Sequence, residues 1–343
     1  MSDAWTPQVN GVVRTLATVA TELAALGHAV EVIGPDRFRT IPCPTYPEIR
    51  LAIAPARRLA RMIAAFAPDH LHIATEGPLG LAARAWARRR RAHFTTSFHT
   101  RFAEYLAART RLPAGLFYPP LRRFHAAADA TLVATPSLTA DLAARGFARL
   151  APWTRGVDLD AFRPGGADMW AGLPRPVFAY VGRVAVEKNI AAFLRIDLPG
   201  SKVVVGGGPQ LAGLRASYPG AVYTGPRFGA DLAASYASAD VLVFPSRTDT
   251  FGLVLLESLA CGTPFAAYDV TGPKDILATA PEPVGAVGED LRAAALRALT
   301  IPREACRAHA ERYGWRACAL RFVEALVPLD GLPATAAAPI SAA

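Results

Sequence analysis

Residues 244–264 read "FPSRTDTFGLVLLESLACGTP", an apolar run with a carboxylate near each end, Asp249 and Glu257. Unpartnered charges inside a helix or strand are costly to bury. The stretch therefore divides into three pieces. A strand, "ADVLVFPS" (239–246), runs into a polar exit loop, "RTDT" (247–250), and then into a helix, "FGLVLLESLACG", closed at Gly262. On this division Asp249 lies at the strand end and Glu257 in the first turns of the helix, both near the carboxyl edge of a sheet. In open α/β sheets ligands sit beyond that edge. A strand-end carboxylate there suits a sugar hydroxyl, and a helix carboxylate suits the paired hydroxyls of a ribose.

The same alternation of apolar strands and Ala/Leu-rich helices runs along the chain, which predicts an α/β protein with parallel sheets. A helix is expected over 11–28 and strands over 29–35, 70–77, 93–99 and 130–137. The Gly/Pro-rich stretch 156–176 reads as a linker, after which strands are expected over 176–184, 201–209, 221–226, 239–246 and 264–269. Two Rossmann-like domains follow, 1–165 and 166–328, with a ligand cleft expected between them and helices closing the second. Residues 329–343, rich in Pro and Ala, read as a disordered tail.

The chain has 343 residues, 52% of them hydrophobic, enough for two cores. No apolar run approaches the roughly 18 residues of a membrane span. The opening "MSDAWTPQVNG" lacks the basic start and apolar stretch of a signal peptide. Cys43, Cys261, Cys306 and Cys318 show no metal-like spacing, so a reduced, cytoplasmic setting is expected. The net charge of +9 sits in the first half, where residues 1–165 hold 21 Arg and no Lys against 12 acidic residues. Arg84 and Arg88 to Arg91 make the densest cluster. That excess suits anionic lipid head groups at a membrane surface, unless the arginines merely coat a helix. The interleaved aromatics of a nucleic-acid platform are missing.

Several further stretches point the same way: "DAWTPQVNGVVRTL" (3–16), "TEGPLG" (75–80), "SFHTRF" (97–102), "TRGVDLDAFRP" (154–164) and "YVGRVAVEKNI" (180–190). Together with an acid, seven residues and Glu in "DTFGLVLLE", they resemble the retaining glycosyltransferases of family four. The match is most like the bacterial GDP-mannose-dependent α-mannosyltransferases and related glycolipid-forming enzymes. The resemblance implies the two-domain GT-B fold and a nucleotide-sugar donor, with no separate cofactor. It further implies a lipid-linked or glycolipid acceptor and work at the inner face of the cell membrane. In such an enzyme the acceptor attacks on the face the leaving group departs from, and a diphosphate oxygen takes its proton. Much of the family carries Glu where this chain has Asp249. The family also begins with an apolar strand before the "PQVNG" loop, where this chain has only "MSD", so the first strand of the first domain is expected to be missing.

The resemblance assigns roles residue by residue. Arg183 and Lys188 match the cations that compensate the departing diphosphate, which is what that leaving group needs. Asp249, His99 and Gly11 are implied to orient the donor sugar, Gly11 through an open helix N-terminus. Glu257 is implied to hold the ribose. Gly207 and Gly208, in "GGGP" (206–209), are expected to let the nucleotide approach the backbone. Glu76 and Gly77 are expected to shape the acceptor side. His70, His72, His93 and His125 have no such match. No metal is expected, since two phosphate-binding cations can replace a metal ion's charge. Two carboxylates also serve glycosidases, but a hydrolase has no nucleotide to hold. A phosphorylase, an epimerase, a UDP-sugar-dependent glycolipid synthase and an inactive binding protein remain as alternatives on the same fold.

Overall fold

The computed structural model describes residues 1–330 except Val9, Pro44 and Thr45. The chain forms two α/β units, Met1–Thr154 with the chain from Cys318 onward, and Arg155–Ala317.

In the first unit, α1 (Gly11–Ala25) is followed by an antiparallel hairpin, β1 (Thr40–Cys43) and β2 (Tyr46–Ala52), which sequence patterning had not signalled. A parallel sheet of four strands follows in the order β3 (His72–Ile73), β4 (Thr95–Phe98), β5 (Ala130–Val133) and β6 (Leu150–Pro152). Helices α2 (Ala56–Phe66), α3 (Pro78–Arg90), α4 (Phe102–Thr110), α5 (Tyr118–His125) and α6 (Pro136–Ala144) complete the unit. Leu79, Ala83 and Ala87 recur every four residues on α3 and are fully buried, while Arg88 to Arg91 are exposed. Three of those arginines occupy the helix's last turn, where positive charge complements the helix dipole.

β4 is buried along its whole length although it reads Thr-Thr-Ser-Phe. Buried hydroxyls need partners, and histidines supply them. His72 contacts Thr95 Oγ1 at 2.8 Å and Ser97 Oγ at 2.7 Å, and His125 contacts Thr96 Oγ1 at 2.9 Å.

The strand expected over 29–35 does not form. Ala29 to Glu31 are exposed, Ser2 N–H donates to the Ile33 carbonyl at 3.1 Å, and Ile33 packs in the core with Leu71 and Ile73. Met1 lies beside β3, accepting from Ala74 N–H and donating its ammonium to the His72 carbonyl. Met1 and Ser2 thus lie between the segment and β3. β-branched residues do not make a strand without a neighbour to pair with.

The second unit carries a parallel sheet of six strands: β7 (Val177–Val181), β8 (Ser201–Val205), β9 (Val222–Gly225), β10 (Val241–Phe244), β11 (Phe265–Ala267) and β12 (Gly285–Val287). Their order is β12-β11-β10-β7-β8-β9. Every residue of β7, β10 and β11 is buried, as expected for strands covered on both faces. Helices α7 (Ile190–Arg195), α8 (Leu211–Ser217), α9 (Gly229–Ala237), α10 (Leu253–Ala260), α11 (Pro273–Ala278), α12 (Leu291–Ala298) and α13 (Arg303–Ala310) surround it.

The division between units falls at Thr154/Arg155 rather than at 165/166. The stretch 156–176 is not a free linker but packs within the second unit. Val157 N–H donates to the Tyr313 carbonyl, Arg307 donates to the carbonyls of Leu159 and Phe162, and Trp170 Nε1–H donates to the Ser235 carbonyl. The last helix, α14 (Trp315–Ala325), begins in the second unit and ends in the first. There Trp153 donates to the Cys318 carbonyl at 3.2 Å, and Phe322 packs against Trp153 and His72. Leu329, placed in the expected tail, is hydrogen-bonded to Asp69 and His93. The rest of that tail, 331–343, lies outside the described residues.

Candidate active site

The strand order of the second unit reverses between β7 and β10: β7 continues to β8 on one side, while β10 lies on the other. Such a switch point opens a crevice at the carboxyl edge, because the two exit loops leave in opposite directions. The exit of β7 carries Gly182, Arg183 and Lys188, and the exit of β10 carries Pro245 to Asp249. The two loops meet. Lys188 Nζ lies 2.5 Å from Asp249 Oδ1, with 22% and 15% of the two side chains exposed. Asp249 Oδ2 is buried and has no hydrogen-bond partner.

Asn189 fastens these loops together. It adopts the left-handed conformation at φ +52° and donates from Nδ2 to the Pro245 carbonyl at 3.1 Å. Asn tolerates that conformation better than most residues. The Tyr180 hydroxyl donates to the Arg183 carbonyl at 2.7 Å and fixes the preceding turn. Neither Asn189 nor Tyr180 was marked by sequence reasoning, although Asn at the end of "EKN" is a signal for a left-handed stop.

The glycine loop after β8 is shaped first by its neighbour. Val184 N–H donates to the Gly207 carbonyl at 2.8 Å. A Cβ at Gly206 would lie 1.8 Å from the Gly182 carbonyl oxygen, and one at Gly208 2.4 Å from that of Val184. Gly206 and Gly208 are therefore required for backbone-to-backbone packing of the β7 and β8 exits. Gly207 has only ordinary contacts with Pro226.

α10 begins after Gly252, at φ +86°. Glu257, in its second turn, is buried and accepts from the Tyr236 hydroxyl of α9 at 2.7 Å. Tyr236 is fully buried and is a third residue that sequence reasoning missed, since it lies 21 positions away.

In the first unit, His99 follows β4, is buried, and packs edge-on against Trp153 with centroids 5.6 Å apart. Gly11 opens α1 and is exposed. Asn10 caps that helix, its Oδ1 accepting from Val12 and Val13 N–H at 3.0 Å each. The "TEGPLG" loop is turned inward. Glu76 Oε1 lies 3.1 Å from His125 Nε2, with both side chains buried. A Cβ on Gly77 would fall 2.5 Å from the Asp3 carboxyl carbon. Asp3 needs that space, because it accepts from Leu79 and Gly80 N–H at the start of α3 and from the Thr75 hydroxyl. Burial pushes its pKa up from the ordinary carboxylate value, and the amide donors oppose the rise. Glu76 and Gly77, expected to shape an acceptor surface, are thus used for internal packing.

A cavity of about 540 Å³ opens at the amino edge of the second sheet, lined by Arg175, Asp240, Pro264 and Arg303 among others. Arg175 there is ion-paired with Asp168 and Asp240, and Arg303 donates to the carbonyls of Ala237 and Ala239. Among the described residues no group of three or more His, Cys, Asp or Glu is placed to hold a metal ion. Among them, too, no helix is long and apolar enough to cross a membrane.

The site's geometry agrees with the comparisons to known proteins. Residues 9–161 match the Glycosyltransferase Family 4 model, and residues 175–300 match that of Glycosyl transferases group 1. A GDP-mannose-dependent alpha-mannosyltransferase of Mycobacterium tuberculosis (strain CDC 1551 / Oshkosh) is 30% identical over 302 residues, 81% of this chain and 80% of its own. The chain belongs to the family 4 glycosyltransferases. It is an enzyme that transfers a glycosyl group from a nucleotide sugar to an acceptor. A second relative of this glycosyltransferase, sulfoquinovosyl transferase SQD2 of Arabidopsis thaliana, is 32% identical over 328 residues, covering 86% of this chain and 63% of its own. Sucrose-phosphate synthase from Thermosynechococcus elongatus superposes with a TM-score of 0.72 at 22% identity over 92% of each chain. That likeness shows the fold: two α/β domains with parallel sheets, the GT-B architecture.

Proposed function

We propose that this glycosyltransferase moves mannose from GDP-mannose onto a lipid-linked or glycolipid acceptor with retention of configuration. The observation that carries the donor site is the meeting of Lys188 and Asp249 at the switch point, 2.5 Å apart. It sets a cation for a diphosphate beside an acceptor for sugar hydroxyls. Arg183 and Lys188 stabilise the charge that develops on the diphosphate, an effect that depends on their being preorganised. Asp249, His99 and Gly11 orient the sugar, Glu257 holds the ribose, and Gly207 and Gly208 lie along the nucleotide. The bond from the anomeric carbon to the diphosphate oxygen breaks as the bond to the acceptor oxygen forms. The acceptor proton passes to the departing diphosphate.

Support for mannose comes from the relatives whose names specify GDP-mannose, at 30% and 33% identity. The sulfoquinovosyl transferase, at 32% identity, favours a second reading with a different sugar donor. Support for a lipid acceptor comes from the first unit. It exposes Arg88 to Arg91 at the end of α3 and, separately, the apolar side chains Phe102, Leu106, Leu112 and Leu116 beyond the carboxyl end of β4. This chemistry suits an anionic membrane surface, at the cytoplasmic face where sugar nucleotides are supplied.

The test is turnover with GDP-mannose, UDP-glucose and UDP-sulfoquinovose on bacterial lipid extracts, with the product anomer read by NMR. An α-mannosyl product from GDP-mannose alone is expected. A β-linked product, or turnover confined to a UDP sugar, contradicts the proposal. Binding to anionic vesicles is expected to weaken with salt and with Arg88 to Arg91 replaced by Gln. Salt-insensitive binding removes the membrane part.

A further inference from the structure

Asp249 faces two demands at once. Its Oδ1 holds Lys188 Nζ at 2.5 Å, while its Oδ2 is buried and has no hydrogen-bond donor. A diphosphate that takes Lys188 competes with Asp249 for the same ammonium. It also brings negative charge toward a carboxylate that is already short of donors. An intact sugar nucleotide offsets both losses, because its sugar hydroxyls donate to the carboxylate. A nucleoside diphosphate that has lost its sugar brings no such donors.

We propose that Asp249 discriminates between donor and product, weakening the nucleoside diphosphate relative to the sugar nucleotide and so promoting product release. This rests on the assignment of Lys188 to the diphosphate. It differs from a plain sugar contact, which leaves the affinity for the sugar-free nucleotide untouched. It differs equally from a residue that merely aims Lys188, whose loss weakens every diphosphate ligand. Asp249 is suited to the task because a ligand can reach both side chains, 22% and 15% exposed, and a diphosphate on Lys188 replaces the charge contact that Asp249 gives up.

The experiment is titration calorimetry of GDP and GDP-mannose on the wild type, Asp249→Asn, Asp249→Glu and Lys188→Ala, with UDP and UDP-glucose in parallel. Asp249→Asn is expected to bind GDP roughly three- to tenfold more tightly than the wild type, and GDP-mannose more weakly. Asp249→Glu, which restores the charge, is expected to return GDP affinity toward the wild-type value. Unchanged or weaker GDP binding by Asp249→Asn overturns the inference. Lys188→Ala with wild-type GDP affinity overturns instead the assignment on which it rests.

Discussion

Asp3 and Asp249 sit at the carboxyl edges of the two sheets and are treated in opposite ways. The Asp3 carboxylate accepts from two amides of α3 and from the Thr75 hydroxyl. Nearby, Glu76 is matched with His125. Asp249 has one cation on one oxygen and nothing on the other. A buried polar atom without a partner costs about 1–3 kcal/mol, so the second edge is left with a deficit that a ligand can relieve. The first unit spends these acids on its own loops, and the second unit holds its charges ready. On the proposed function, the difference separates acids that hold a fold together from acids that wait for a substrate.

The comparison breaks most visibly through paired substitutions. Lys188→Ala is expected to lower kcat by roughly two to three decades, the usual effect of removing a preorganised charge stabiliser. Its melting temperature is expected to fall modestly, because Asp249 loses its cation but the change is at a loop and not in a core. Asp3→Ala is expected to do the reverse. It leaves the first amides of α3 without their acceptor and costs about 1–3 kcal/mol of stability, with kcat of the folded fraction retained. Thermal melts and initial rates on the same preparations read both quantities. A stable Asp3→Ala enzyme with a crippled kcat erases the contrast.

Glu257→Ala sharpens the second side. Loss of a carboxylate that receives ribose hydroxyls is expected to weaken nucleoside diphosphate and sugar nucleotide alike, by roughly ten- to a hundredfold. The melting temperature falls as well, since the Tyr236 hydroxyl loses an acceptor. Losses confined to the sugar nucleotide shift Glu257 from ribose to sugar.

The smallest effect is one of pH, and it extends the comparison to histidines. His125 in the first unit is bonded at both ring nitrogens. His309 in the second is buried beside the Tyr313 ring, and burial holds its pKa below the ordinary value of 6.5. Below that value the unfolded chain takes up a proton that the folded chain resists. The His309 contribution to stability is therefore complete above about pH 6.5 and is lost as pH falls toward the folded pKa. Melting temperatures from pH 8 down to pH 5 are expected to fall less for His309→Gln than for the wild type. Equal slopes place the acid sensitivity elsewhere.

The two units were also unequally legible in the sequence. In the second, the strands expected at 176–184, 201–209, 221–226, 239–246 and 264–269 each contain an observed strand. Its central strands β7, β10 and β11 are buried on both faces, so they read as continuous apolar runs between polar or glycine-marked loops. In the first, "AVEVIG" has strand composition but forms no strand, and composition carries no information about neighbours. The hairpin of β1 and β2 hides in "TIPCPTYPEIRLA", where three prolines argue against strands. At the site, Lys188 and Asp249 were each visible from their loops, yet their contact spans 61 positions and needed the strand order to bring it about. Tyr236 was invisible because its hydroxyl matters only through Glu257. Gly207 and Gly208 were marked for the approach of a nucleotide, whereas the glycines that make room at this loop, Gly206 and Gly208, make it first for the protein's own backbone.

The most direct test of the central claim, that the exits of β7 and β10 form the nucleotide-diphosphate site, is hydrogen–deuterium exchange with and without GDP. Protection is expected in peptides covering 182–189 and 245–257, with the amino-edge cavity around Arg175 and Arg303 unchanged. Unaltered exchange at those two exits in saturating nucleotide, or protection centred on Arg175 and Arg303, contradicts it.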